Sequence, residues 1–190
     1  MPDKKKKNAT IDATSVRVAF FRGSWLHASD AAIMLYERLS REVHAEVWFH
    51  DVSFSVYCNA CPTMRVRALD SSDADGSEWD SIEIPVTDHR RALQILMEMK
   101  RSPAPYHINV MECALPKRFV DAIEEDEDCM HPEQWSGLFC SQFALLFVRR
   151  CALEGILGVS HSRCAILWSV NSKGCLPARL WRILAEMNCQ

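Results

Sequence analysis

The sequence predicts an α+β domain, a central antiparallel sheet flanked by helices. Three observations predict it. Alternating or β-branched segments cluster between Val16 and Val86. Helical spacing governs residues 88–100, 138–154 and 177–187. No internal repeat or interdomain linker divides the chain, so both kinds of element must share one core.

Residues 1–15 are polar and read as a disordered basic tail, leaving 16–190 as one domain. Val16-Arg17-Val18-Ala19-Phe20-Phe21 is rich in β formers and reads as the first strand, which Gly23-Ser24 breaks. Ser29 or Asp30 can cap a helix to about Arg41, with Ala32, Ile33, Leu35, Tyr36 and Leu39 near one face. His44–Phe49 and Ser53–Tyr57 alternate and read as a hairpin around Asp51. Met64–Leu69 also alternates; a turn-rich acidic loop follows from Asp70 to Ser77, and Asp80–Val86 returns as a strand. Thr87 or Asp88 caps a helix to about Lys100, with Ala92, Ile95, Leu96 and Met99 at helical spacing; Pro103 and Pro105 stop it.

The segment from Pro116 to Gly137 is the least regular and holds the acidic run Glu124 to Asp128. That run reads as a solvated loop or helix end, or else as a flap whose field acts on charged substrates. A strongly apolar helix follows from Leu138 to Glu154, then a short apolar strand Cys164–Trp168, then a helix from Pro177 to about Met187. Pro177 suits the first helical turn, where its missing N–H costs nothing. Arg149 and Arg150 are expected to snorkel from the helix surface. The six tryptophans read as core or sheet-face residues, and Trp135, nearest in sequence to Cys140, as a candidate cleft wall.

Of the 190 residues, 48% are apolar and 25% charged, ordinary for a globular domain. A net charge of −3 gives no reason to expect a nucleic-acid partner; the local run Lys4 to Lys7 reads as part of the solvated tail. Met1 to Ser15 has no apolar signal core, and no stretch approaches the ~20 apolar residues of a membrane span. Nine scattered cysteines without a regular framework point to free thiols in a reducing compartment. The expectation is an intracellular protein of cytoplasm or nucleus.

Chemistry centres on Gly137-Leu138-Phe139-Cys140-Ser141-Gln142-Phe143, where a loop gives way to the apolar helix. A cysteine in a first helical turn meets unpaired backbone N–H groups and the positive end of the macrodipole. Both favour the thiolate, the attacking form. His44 opens an alternating segment, and a thiol and an imidazole so placed are the parts of a Cys-His nucleophilic site. Glu46 is the first choice to orient the imidazole, because residues two apart on a strand share a face; Asp51 and His50 are alternatives. The Cys140 N–H is the natural first oxyanion donor.

Competing chemistries are thinly supported. Cys58-Asn59-Ala60-Cys61 has zinc-ligand spacing but no second such pair, and only His161 and Cys164 offer to complete a set. There is no phosphate-binding Gly loop, Gly-x-Ser-x-Gly elbow or His-Glu-x-x-His. Neither metal nor cofactor is expected.

Several passages together resemble the permuted papain-like thiol hydrolases, relatives of the NlpC-type cell-wall peptidases with YiiX-like and poxvirus branches. They are His44-Ala45-Glu46-Val47-Trp48-Phe49-His50-Asp51, Trp79-Asp80-Ser81-Ile82-Glu83-Ile84-Pro85-Val86, Pro105-Tyr106, Leu138-Phe139-Cys140-Ser141-Gln142 and Leu176-Pro177-Ala178-Arg179-Leu180-Trp181, spanning most of 44–184. The resemblance implies a circularly permuted papain-like fold in which the histidine precedes the cysteine. It implies Cys140 as nucleophile, His44 as base and Glu46 as third residue. It also suggests the Tyr106 hydroxyl as a second oxyanion donor. Gln142 stands where the family commonly has Glu. The implied activity is cleavage of an amide or isopeptide bond of a peptide or protein, ubiquitin-like substrates included, and a viral source fits. A lipid acyltransferase or thioesterase would use the same pair. The rival from another class is a catalytically silent binding or scaffold protein.

Overall fold

The computed structural model describes residues 16–24, 26, 31, 42–57, 64–70, 73, 78–107 and 126–189. The tail with Lys4 to Lys7, the expected helix 30–41, Trp25, Cys58, Cys61, Glu124 and Glu125 lie outside the described residues, apart from Ala31, which is helical.

The alternating segments pair as their patterns require. β1 (Val16–Arg22), β2 (Glu42–Phe49), β3 (Val52–Val56), β4 (Met64–Ala68) and β5 (Trp79–Ile84) make one antiparallel sheet in the order β4-β3-β2-β1-β5. β2 is therefore central. Its Ala45, Val47 and Phe49 join Val16, Val18 and Phe20 of β1 in the core. Alternation turns His44, Glu46 and Trp48 to the other face. The β1–β2 register sets Phe21 opposite His44 and Ala19 opposite Glu46. His50 closes the β2–β3 hairpin at φ 55°, a left-handed conformation that histidine adopts more readily than most residues.

Helices that flank the sheet include α1 (His89–Lys100), α2 (Cys140–Leu153), α3 (His161–Cys164) and α4 (Pro177–Asn188). Asp88 caps α1, its carboxylate accepting from the Arg91 N–H at 2.9 Å, and Ala92, Ile95, Leu96 and Met99 are buried. Every residue of α2 from Cys140 to Cys151 is buried, as expected of a helix with no polar stripe. α4 buries one face, and Pro177 sits in its first turn. No helix among the described residues is long and apolar enough to cross a membrane.

Three expectations are corrected. Cys164–Trp168 is helical, the end of α3 running into the 3-10 turn Ala165–Trp168, because a short apolar run carries no periodicity to tell strand from helix. The α2 helix begins at Cys140, since Leu138 is held in a parallel bridge with Tyr106: its N–H donates to the Pro105 carbonyl (3.0 Å) and its carbonyl accepts from the His107 N–H (2.9 Å). Arg149 and Arg150 do not snorkel. Arg149 is 0% exposed, and its guanidinium donates to the Leu167 carbonyl (2.9 and 2.7 Å) and the Val170 carbonyl (2.7 Å). Arg150 is buried against Glu98 and Glu154.

Candidate active site

Phe139 is the extended N-cap of α2, so Cys140 is its first helical residue. Its side chain is 4% exposed. The sulfur is hydrogen-bonded to the His44 imidazole and receives the backbone N–H groups of Ala45 and Ser141. The start of α2 thus abuts β2 where the histidine leaves the sheet. Burial pushes the thiol pKa up, but the imidazole's charge and hydrogen bond, with the two amides, outweigh it and lower the thiol below its ordinary value. For His44, burial disfavours the imidazolium; the Cys140 thiolate and then Glu46 overcome this and hold its pKa at about 10. Both directions favour the thiolate–imidazolium pair.

His44 Nε2 lies 3.5 Å from Glu46 Oε1 and 3.4 Å from Ser55 Oγ. Nδ1 is then the nitrogen left for the thiol. Glu46, 1% exposed, is held by a full set of donors. Its Oε2 accepts from Ser53 Oγ (2.6 Å), an Arg67 amino group (2.8 Å) and Trp48 Nε1 (3.1 Å). Its Oε1 accepts from the Tyr57 hydroxyl. Burial alone would raise this carboxyl, yet His44, Ser53 and Tyr57 bring it well below the usual carboxylate range. Burial and the Glu46 charge push the Tyr57 phenol up, so it stays a neutral donor. Its ring packs on His44 with centroids 5.1 Å apart. Arg67 continues the chain to Asp73 through paired contacts of 2.7 and 3.0 Å, and Asp73 accepts the Asp70 N–H at 2.9 Å.

Cys140, His44 and Glu46 therefore come together. His50 and Asp51 lie at the far turn of β2, about 20 Å from His44 at ~3.3 Å per residue. Tyr106 is half-buried against Phe139 and Leu176, beside the bridge that precedes Cys140. Gln142 is buried in the first turn of α2. Trp135 belongs to the core and donates its indole N–H to the Asp128 carbonyl at 2.7 Å. A cleft of about 460 Å³ opens beside His44 and Glu46, walled by Phe21, Tyr57 and Trp79 and by Arg65 and Arg67. In the acidic run, Asp126 accepts from Trp168 Nε1 and lines a pocket with Ala152, Leu153 and Gly155. That is the opposite end of α2 from Cys140, about 20 Å away by helix rise, so the Asp126 carboxylate is no flap over the thiol. Among the described residues no group of three or more His, Cys, Asp or Glu is placed to hold a metal ion.

Tyr57, Arg67, Asp73 and the two serines were not singled out from the sequence. The signal for some was present: Ser53, Ser55 and Tyr57 alternate along and beyond β3 and so share one face. Searches of protein-family models, curated proteins and solved structures return no match to the chain.

Proposed function

We propose that the protein is a cysteine hydrolase that cleaves an amide or isopeptide bond, with the permuted papain-like arrangement its sequence resembles. One observation carries the reading: a thiol at the start of a buried helix, hydrogen-bonded to an imidazole whose other nitrogen faces a buried, ionised carboxylate. The Cys140 thiolate attacks the substrate carbonyl and the His44 imidazolium protonates the departing amine, leaving a thioester. His44 then takes a proton from water, the hydroxide attacks the thioester, and the C–S bond breaks to release the acid and restore the Cys140 thiolate beside the His44 imidazolium. Glu46 keeps the proton on Nε2 and supports the imidazolium. The intended substrate is a peptide or protein, ubiquitin-like proteins included, met inside a cell, the host cell if the protein is viral.

The test is the pH dependence of Cys140 alkylation by iodoacetamide in the folded protein, read by peptide mapping beside His44→Ala. Rapid labelling well below pH 8 that disappears in His44→Ala supports the reading. Labelling no faster than the remaining thiols, and indifferent to His44, overturns it in favour of a binding role.

A further inference from the structure

Among the described residues, the cleft beside His44 contains one charge that the constellation leaves over. Arg65 and Arg67 both reach the cleft from β4. They are two residues apart and share a face of the strand. Arg67 is committed to Glu46 and Asp73. Arg65 is exposed and, among the described residues, makes neither an ion pair nor a side-chain hydrogen bond. Register fixes where it stands. Arg65 pairs with Ser55, and Ser55 Oγ lies 3.4 Å from His44 Nε2. One strand spacing, ~4.8 Å, therefore separates the Arg65 backbone from the residue that touches the imidazole.

The surroundings suit an acid with a short carbon chain. Phe21 and Trp79 pack with ring centroids 5.3 Å apart and give the cleft an aromatic wall. The other described charges at or beside the cleft are occupied: His44 by Cys140 and Glu46, Glu46 by His44 and Arg67, and Asp80 on β5 by Arg22. The guanidinium set over Trp79 is that of Arg67, 5.7 Å from the ring centroid; Arg65, open beside it in the same cleft, offers a planar fork that matches the two oxygens of a carboxylate. With a net charge of −3 the whole protein repels acids, so an acidic substrate needs a local cation to seat it.

We propose that Arg65 selects substrates whose acyl group carries a carboxylate beside the scissile bond, an aspartyl or glutamyl residue, with the carbon chain lying against Phe21 and Trp79. The inference rests on the reading of Cys140 as nucleophile. The test uses a pair of probes matched in shape and differing in one charge, N-acetyl-glutamyl and N-acetyl-glutaminyl chloromethyl ketone. With each, the Cys140 thiolate bonds to the methylene carbon and chloride leaves. Rates are taken by peptide mapping, with iodoacetamide as the reagent that asks nothing of Arg65. The glutamyl probe is expected to react about tenfold faster than the glutaminyl one, the scale of a charge-assisted hydrogen bond. Arg65→Ala should reduce that ratio about fivefold or more at an unchanged iodoacetamide rate, and Arg65→Lys should retain part of it. Equal rates in the wild type, or a ratio untouched by Arg65→Ala, overturn the assignment while fast iodoacetamide labelling leaves the nucleophile standing. Slow iodoacetamide labelling of Cys140 in the wild type removes the nucleophile and this proposal together.

Discussion

Glu46→Gln is the sharpest perturbation of the site, because it removes one charge and almost no volume. The wild-type carboxylate accepts from Ser53, Trp48, Tyr57 and Arg67 and lies 3.5 Å from His44 Nε2. A glutamine has one acceptor oxygen, so its amide must point N–H groups at existing donors. Breaking a fully buried ion pair costs about 3–5 kcal/mol. Here Arg67 is 33% exposed and keeps Asp73, which lowers the expected cost to about 2–3 kcal/mol at pH 7. At ~2–4 °C per kcal/mol for a domain of this size, the melting temperature should fall by about 5–10 °C. The sign with pH follows from the lowered Glu46 pKa. Its stabilising contribution is complete above the ordinary value of 4.5 and is lost as pH falls from there toward about 2. Urea unfolding of wild type and variant should therefore show a constant gap above about pH 5 that closes in acid. Iodoacetamide labelling of Cys140 should slow in parallel, since the imidazolium loses a counter-charge. A gap under about 0.5 kcal/mol at pH 7, or one that persists unchanged to pH 2.5, would refute Glu46 as a buried ionised partner of His44.

Three further outcomes follow from the packing around the site. A Cβ at Gly137 would lie 2.5 Å from the His107 Cβ, so Gly137→Ala must spread the 105–107 segment from Leu138. It should cost about 1–3 kcal/mol in urea unfolding and slow Cys140 labelling. Arg149→Met orphans the Leu167 and Val170 carbonyls and should destabilise by about 2–4 kcal/mol. It should leave Cys140 labelling in the folded protein intact, being nine residues or ~14 Å along α2. Cys151 is fully buried with its thiol pushed up by burial and Glu154. It should resist iodoacetamide at pH 8 until urea unfolds the chain, giving an internal standard on the same helix.

Local chemistry made the sheet and the pairing of Cys140 with His44 legible. Strand alternation around His44–Phe49 set His44 and Glu46 on one face, and the structure brings the two within 3.5 Å. Asp88 and the spacing of Ala92, Ile95, Leu96 and Met99 gave α1 closely. Cys140 stood out because Gly137 ends a loop and an unbroken apolar run begins. What stayed hidden depends on partners remote in sequence. Arg67 reaches Glu46 only because β4 pairs with β3 and β3 with β2. Arg149 is buried because carbonyls 18 and 21 residues later turn toward it. The run at 164–168 is too short for any period to show.

The site is best understood as a line of alternating charge. In the ion-pair form it runs from the Cys140 thiolate to His44, Glu46, Arg67 and Asp73, each member touching the next. Alternation lets every buried charge be met by its neighbour, which is how an ionised carboxylate 1% exposed can persist beside a half-buried histidine. It also means that no member of the line has charge to spare for a substrate. Among the described residues that line the cleft, Arg65, one strand spacing away and off the line, is the charged group outside it. On the proposed reading, activation and selection fall to separate residues. Loss of Glu46 should slow every reagent at Cys140 alike, whereas loss of Arg65 should change only the ranking of reagents by charge.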